Sequence, residues 1–149
     1  MSARDGEQEV YVRDLMTGDP VVVDPEVSVE QVLALMQEAS IRHIPVVDDE
    51  GVIGVVNDSD LTFIHGVPGV FDKMDVQAVL DAPVGVVMKS RFLVKRDVVS
   101  VGSDEELKRA VDAMLAHRLR ALPVIDAKGE VVGVLSAVDV LRWVGDGVL

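Results

Sequence analysis

An α/β (α+β) fold built from two copies of one small unit is the class this sequence predicts, and three observations lead to it. The first is a repeat. Ile41-Arg42-His43-Ile44-Pro45-Val46-Val47-Asp48 returns as Leu119-Arg120-Ala121-Leu122-Pro123-Val124-Ile125-Asp126, with the two prolines 78 positions apart. Gly51-Val52-Ile53-Gly54-Val55-Val56 returns as Gly129-Glu130-Val131-Val132-Gly133-Val134-Leu135 with one residue added in the turn, and Asp60 and Asp139 then match at an offset of 79. Pro, Gly, Gly and Asp in the same order mark a duplication. The second observation is composition: 49% of the 149 residues are hydrophobic but only 3% aromatic, so Val, Leu, Ile, Ala and Met must build the core. Runs such as Val21-Val22-Val23, Val46-Val47 and Val131-Val132 suit strands covered on both faces. The third is helix punctuation. Ser28-x-x-Gln31 and Ser103-x-x-Glu106 read as capping boxes, in which hydroxyl and later side chain satisfy free amides.

Each unit is predicted in the order strand, helix, strand, strand, helix. A short strand (21–23; 98–101) leads to the capped helix. Val29, Val32, Leu33 and Met36 recur at helical spacing in one copy, and Leu107, Ala110, Val111 and Met114 in the other. Asp104, Glu105 and Glu106 fall where the helix dipole favours negative charge, and His117 and Arg118 where it favours positive. Two strands follow, joined by Asp48-Asp49-Glu50-Gly51 or Asp126-Ala127-Lys128-Gly129. A last short helix carries Leu61, Phe63 and Ile64, or Val140, Leu141 and Trp143.

The domain boundaries follow. Residues 1–10 are a polar leader, 11–65 the first repeat, 66–83 a linker, 84–144 the second repeat and 145–149 a tail. The linker holds a Gly/Pro break at 65–69 and a helix over 75–80 that stops before Pro83. Extra residues between Met88 and Val98 carry the basic cluster Lys89, Arg91, Lys95 and Arg96, read as a solvated loop.

Charge and motifs narrow the function. With 26 acidic and 14 basic residues the net charge is −12, which opposes broad contact with a nucleic-acid backbone. A small anion needs only two or three local donors and is not opposed. Mean hydropathy is +0.32, yet no apolar run approaches the roughly 20 residues of a spanning helix. No export signal opens the chain, so the expected location is the cytoplasm. There are no cysteines, hence neither disulfides nor thiolate chemistry. No Gly-x-Ser-x-Gly elbow, phosphate loop, dinucleotide fingerprint or His-Glu-x-x-His appears. His43, His65 and His117 lack metal-ligand spacing, so neither a catalytic residue nor a metal is expected.

What recurs is a strand passing through a short polar turn into a helix: Gly54-Val55-Val56-Asn57-Asp58-Ser59-Asp60, and Gly133-Val134-Leu135-Ser136-Ala137-Val138-Asp139. Free amides at a helix start favour an anion, and an Asp in the first turn can accept hydrogen bonds from both hydroxyls of a ribose. Ser, Asn and Asp are also ordinary helix caps. The agreement of Asp60 with Asp139 across the copies is the stronger signal.

From about Tyr11 to Trp143 the chain resembles a tandem pair of CBS domains, the module named after cystathionine β-synthase and also called a Bateman module. The resemblance rests, in each copy, on the strand before the capped helix, the hydrophobic-Pro-Val-Val/Ile-Asp strand, the Gly-turn-Gly strand and the final loop ending in Asp. It implies a pseudo-twofold pair of β-α-β-β-α units, sheets packed against each other with helices outside, and two related clefts. Those clefts would bind an adenosine compound: AMP, ADP, ATP or S-adenosylmethionine. For the second repeat the resemblance assigns ribose to Asp139, phosphate to Ser136 and Arg120, and the base to Val99, Leu122 and Pro123, with Ala121 completing the site. For the first, weaker, site it assigns Asp60 to ribose, with Asn57 in place of the usual Ser or Thr, and Arg42 and His43 near phosphate. Thr17, Val21, Val22, Ile44 and Pro45 complete that site. No cofactor is required. The expectation is a stand-alone, non-enzymatic sensor that reports an adenosine ligand to an effector protein, as a homodimer associated through Phe63, Leu141 and Trp143. The alternative is a ligand-free scaffold for dimerisation.

Overall fold

The structure, a computed structural model, describes residues 9–59, 61, 73–92 and 98–148. The expectations for Asp60, Phe63, Ile64, the 65–69 break, Lys95 and Arg96 concern residues outside that set, as do those for the side chains of Lys89 and Arg91. The chain folds as two compact units. One is Pro20–Val98; the other joins the chain up to Asp19 with Val99–Leu149.

In the unit Pro20–Val98, Ser28 caps helix α2 (Val29–Ala39) with its side chain accepting from the Gln31 amide, and the Gln31 side chain returns the contact. Strands β2 (His43–Asp48) and β3 (Gly51–Asn57) form an antiparallel pair with a bulge between Val46 and Val47. Their turn needs Gly51 at φ 125°, and the Asp48 carboxylate accepts the Glu50 amide at 2.8 Å. Only Val23 of the expected first strand joins the sheet, bridging Val46 in parallel. Its amide donates to the Pro45 carbonyl (3.1 Å) and its carbonyl accepts from Val47 (2.9 Å). Val21 and Val22 lie outside the ladder, exposed at 38% and 45%. Pro20 and Pro25 flank this segment and can donate no ladder hydrogen bond. Helix α3 (Lys73–Asp81) ends before Pro83 as expected, but helix α4 (Val84–Phe92) starts directly after that proline, where the sequence reading placed none.

In the other unit, β4 (Val101–Gly102) runs parallel to β5 (Ala121–Ile125), which pairs antiparallel with β6 (Val131–Ser136). Residues 98–100 are not strand. Helix α5 (Leu107–His117) starts after Glu106, with no side-chain hydrogen bond at the cap. The expected Ser103 box is therefore absent. Glu105 takes its place, accepting the Gly102 amide at 2.6 Å and pairing with Arg109 at 3.0 Å. Helix α6 (Ala137–Val148) closes the unit.

The two cores match position by position. Val23, Val29, Val32, Met36, Ile44, Val46 and Val56 are buried in one. Val101, Leu107, Ala110, Met114, Leu122, Val124 and Leu135 are buried in the other. Each pair sits at the offset of the repeat, 78 or 79. Both helices α2 and α5 end on a left-handed residue, Ser40 (φ 56°) and Arg118 (φ 57°).

A further copy of the pattern surrounds these cores. Helix α1 (Val12–Leu15) and strand β1 (Thr17–Gly18) open the first repeat in sequence but pack on the second: β1 pairs with β6, and Val12 is buried in that core. The Val12 amide donates to Glu105 O, Arg13 to Ser103 O, and Leu107 back to Val10 O. Helix α4 opens the second repeat in sequence and packs on the first with the same bonds: Val84 to Val27 O, Gly85 to Pro25 O, and Val29 to Ala82 O. Each repeat is thus completed by the arm that leads into the other. The compact units do not follow the order of repeats along the chain.

Candidate functional site

At the second repeat, β6 delivers Ser136 to the start of α6. Across the sheet Ser136 is paired with Ala121, and the Ala137 amide donates to the Arg120 carbonyl at 2.8 Å. Arg120 and Ala121 therefore flank the helix N-terminus. The Ser136 hydroxyl accepts the Asp139 amide at 3.1 Å, while the Asp139 Oδ2 accepts the Ser136 amide at 2.9 Å. This is a reciprocal capping box with Asp in the place of the usual Glu or Gln. Cap and candidate ligand group are thus the same residues. The box fixes the orientation of both side chains, the Ser136 hydroxyl still has a proton to donate, and a carboxylate carries more lone pairs than one amide can use. The Asp139 side chain is 18% exposed, with Arg142 Nη1 3.9 Å from its Oδ1.

The first repeat reproduces the backbone of this turn. Asn57 ends β3 opposite His43, and the Asp58 amide donates to the Arg42 carbonyl at 3.0 Å. Arg42 is exposed, with Asp58 and Gln37 on the border of an open depression floored by Leu33 and Met36. His43 and Asn57 are half-buried.

The apolar candidates divide. Ile44 and Leu122 are fully buried core residues and Pro45 and Pro123 are buried with them, so their side chains hold the strand rather than line an open surface. Val21 and Val22 are open to solvent, and Val99 is half-buried against its core. Thr17, grouped with the first repeat on sequence grounds, is exposed on β1 opposite Val134, on the sheet that carries Ser136. Trp143 packs on its own core, whereas Leu141 is 67% exposed.

Sequence reasoning missed Arg142 beside Asp139 and the arm β1 beside β6. Among the described residues no group of His, Asp and Glu is placed to hold a metal, and no helix is long and apolar enough to cross a membrane. A hydrogen bond to Asp112 holds the Lys108 ammonium above its usual range, and the Glu9 carboxylate raises the Tyr11 phenol.

The family model for the CBS domain matches twice, over residues 12–64 and 90–146. The chain is 28% identical over 137 residues to the uncharacterized protein MJ1225 of Methanocaldococcus jannaschii, covering 92% of this chain and 48% of that one. It is 30% identical over 141 residues to the chloroplastic CBS domain-containing protein CBSX2 of Arabidopsis thaliana, covering 81% of this chain and 57% of that one. The chain thus spans about half the length of these curated relatives. A crystal structure of CBSX2 in complex with AMP superposes with a TM-score of 0.66 at 29% identity, over 92% of this chain and 97% of that one. The CBS domain pair of protein MJ0100, in complex with 5′-methylthioadenosine and S-adenosyl-L-methionine, gives a TM-score of 0.73 at 18% identity, over 94% and 99%. With both repeats matched and both folded on one plan, the chain belongs to the CBS domain family as a tandem pair.

Proposed function

We propose that this chain is a regulatory ligand-binding module that takes an adenosine compound and makes or breaks no bond. The observation that carries the reading is the Ser136–Asp139 box at the start of α6. It sets a part-exposed carboxylate, a hydroxyl and first-turn amides beside Arg120, a donor and acceptor set that suits a ribose phosphate. Asp139 accepts from the ribose hydroxyls, and Ser136, Arg120 and the helix amides donate to phosphate. At the first repeat Asp60 takes the ribose, with Asn57, Arg42 and His43 toward phosphate. The exposure of Val21 and Val22 supports a role in covering the base, since core valines would be buried. The AMP complex of CBSX2 supports the ligand class.

A ligand reports through a module only if it contacts two conformations differently. The exposed apolar residues Val138, Leu141 and Val144 of α6 favour association of two chains as the element so biased. Titration of AMP, ADP, ATP and S-adenosylmethionine by calorimetry tests the reading. Binding of at least one at micromolar to millimolar concentration is expected. Silence from all four at millimolar concentration would leave the scaffold reading in its place.

A further inference from the structure

Arg142 stands three residues beyond Asp139 on α6, its Nη1 3.9 Å from Asp139 Oδ1. That distance is too long for a hydrogen bond and makes the contact one of charge. The other carboxylate oxygen is engaged by the Ser136 amide. The guanidinium therefore faces the oxygen that the cap does not use, and it is itself 67% exposed. Without it, this carboxylate would have no ion-pair partner among the described residues, in a chain of net charge −12. An unpaired carboxylate repels phosphate and attracts a sulfonium.

From this we infer that Arg142 is a specificity-determining residue of the second-repeat site, which it tilts toward phosphorylated adenosine ligands over the cationic S-adenosylmethionine. The inference rests on the adenosine-binding reading above. Two effects oppose each other. The guanidinium competes with ribose hydroxyls for Asp139, and that cost is common to every adenosine ligand. It also supplies positive potential, whose benefit grows with phosphate charge and turns into a penalty for a sulfonium. The common cost cancels when ligands are compared, so ligand charge decides the ranking. At the 79-residue offset the first repeat has Phe63 in place of Arg142, so its Asp60 has no such neighbour in the sequence.

The test is calorimetric titration of adenosine, AMP, ATP and S-adenosylmethionine against the full chain and its Arg142→Ala, Arg142→Gln and Arg142→Lys variants. An exposed charge acts weakly, so AMP affinity in Arg142→Ala and Arg142→Gln should fall about two- to fivefold relative to S-adenosylmethionine. The loss should be larger for ATP, absent for adenosine and repaired in Arg142→Lys. Raising salt should erase the difference in wild type. An equal change for all four ligands, or none, overturns the inference and leaves adenosine binding intact. If wild type binds none of the four, the underlying reading falls and this one with it.

Discussion

Met16 lies over Gly133 so closely that a Cβ on the glycine would stand 2.6 Å from the Met16 Sδ. Met88 lies over Gly54 in the same way, at 2.7 Å from its Cε. The two glycines are equivalent in the repeat, and the two methionines belong to the two arms, one on each unit. The second glycine of each Gly-turn-Gly pattern is thus a docking site for an arm.

The two contacts differ in what could give way. Beside Gly133 the Thr17 backbone oxygen also stands 2.9 Å from the added Cβ, so rotation of Met16 alone cannot make room. Beside Gly54, among the described residues, the intruding atom is the terminal methyl of a flexible side chain. Gly133→Ala is expected to destabilise by about 1–3 kcal/mol, the usual cost of overpacking, and Gly54→Ala by less. Urea denaturation of both variants checks the order. Adding Met16→Ala to Gly133→Ala should recover only part of the loss, because the Thr17 carbonyl stays in place.

Capping gives a second asymmetry. Ser28 holds the Gln31 amide, whereas Ser103 caps nothing and α5 begins after Glu106. Ser28→Ala should cost about 1 kcal/mol, as loss of a serine cap does, and Ser103→Ala close to nothing. Glu105→Ala, which releases the Gly102 amide and Arg109, should cost more than Ser103→Ala. Denaturation midpoints at neutral pH measure all three.

These cases also mark what the sequence could reveal. The paired core, from Val23 and Val101 to Val56 and Leu135, was legible because apolar identity and spacing are both kept by the repeat. The local Ser103-x-x-Glu106 pattern points to a cap that the repeat does not keep, since the offset places Glu106 where Ser28 stands. The arms were illegible for a different reason. Val12-Arg13-Asp14-Leu15-Met16 and Val84-Gly85-Val86-Val87-Met88 share only their first and last residues, the buried valine and the methionine over the glycine, and the backbone hydrogen bonds that also dock each arm leave no record in side-chain identity. At the candidate site the sequence pointed to Ser136 and Asp139, but not to their reciprocal bonds. It also could not separate the exposed Val21 and Val22 from the buried Val23 in one valine run.

Because Asp139 serves the cap and the proposed ribose contact together, its substitution must be read on two scales. Asp139→Ala should lower stability by about 1 kcal/mol through the lost bond to the Ser136 amide. It should also weaken adenosine-ligand binding at least tenfold, the scale of a charge-assisted hydrogen bond. Ser136→Ala breaks the same box from the other side and should match the stability loss with a smaller effect on binding. Asp60→Ala is expected to reduce affinity less than Asp139→Ala, because Asn57 replaces the serine there. Calorimetry with AMP, beside thermal denaturation of each variant, separates the two scales. Equal binding losses for Asp60→Ala and Asp139→Ala would reverse the proposed ranking of the sites.

The outer face of α6 supplies the last prediction. Val138, Leu141 and Val144 are spaced three residues apart and are 54%, 67% and 42% exposed, while Trp143 on the same helix packs inward. An apolar stripe left open on a helix that packs on its core through Ala137, Val140 and Trp143 has no role in that core, and burying it is favourable by about 25 cal/mol per Å². If two chains meet through it, a charge at the most exposed position must be desolvated on association and will oppose it. Leu141→Lys should shift the protein toward monomer in sedimentation at micromolar concentration, with its denaturation midpoint little changed. Trp143→Ala should do the reverse, lowering stability by about 3 kcal/mol or more as a large side chain is lost from the core edge, without acting on association directly. Wild type sedimenting as a monomer would remove the stripe as a self-association surface.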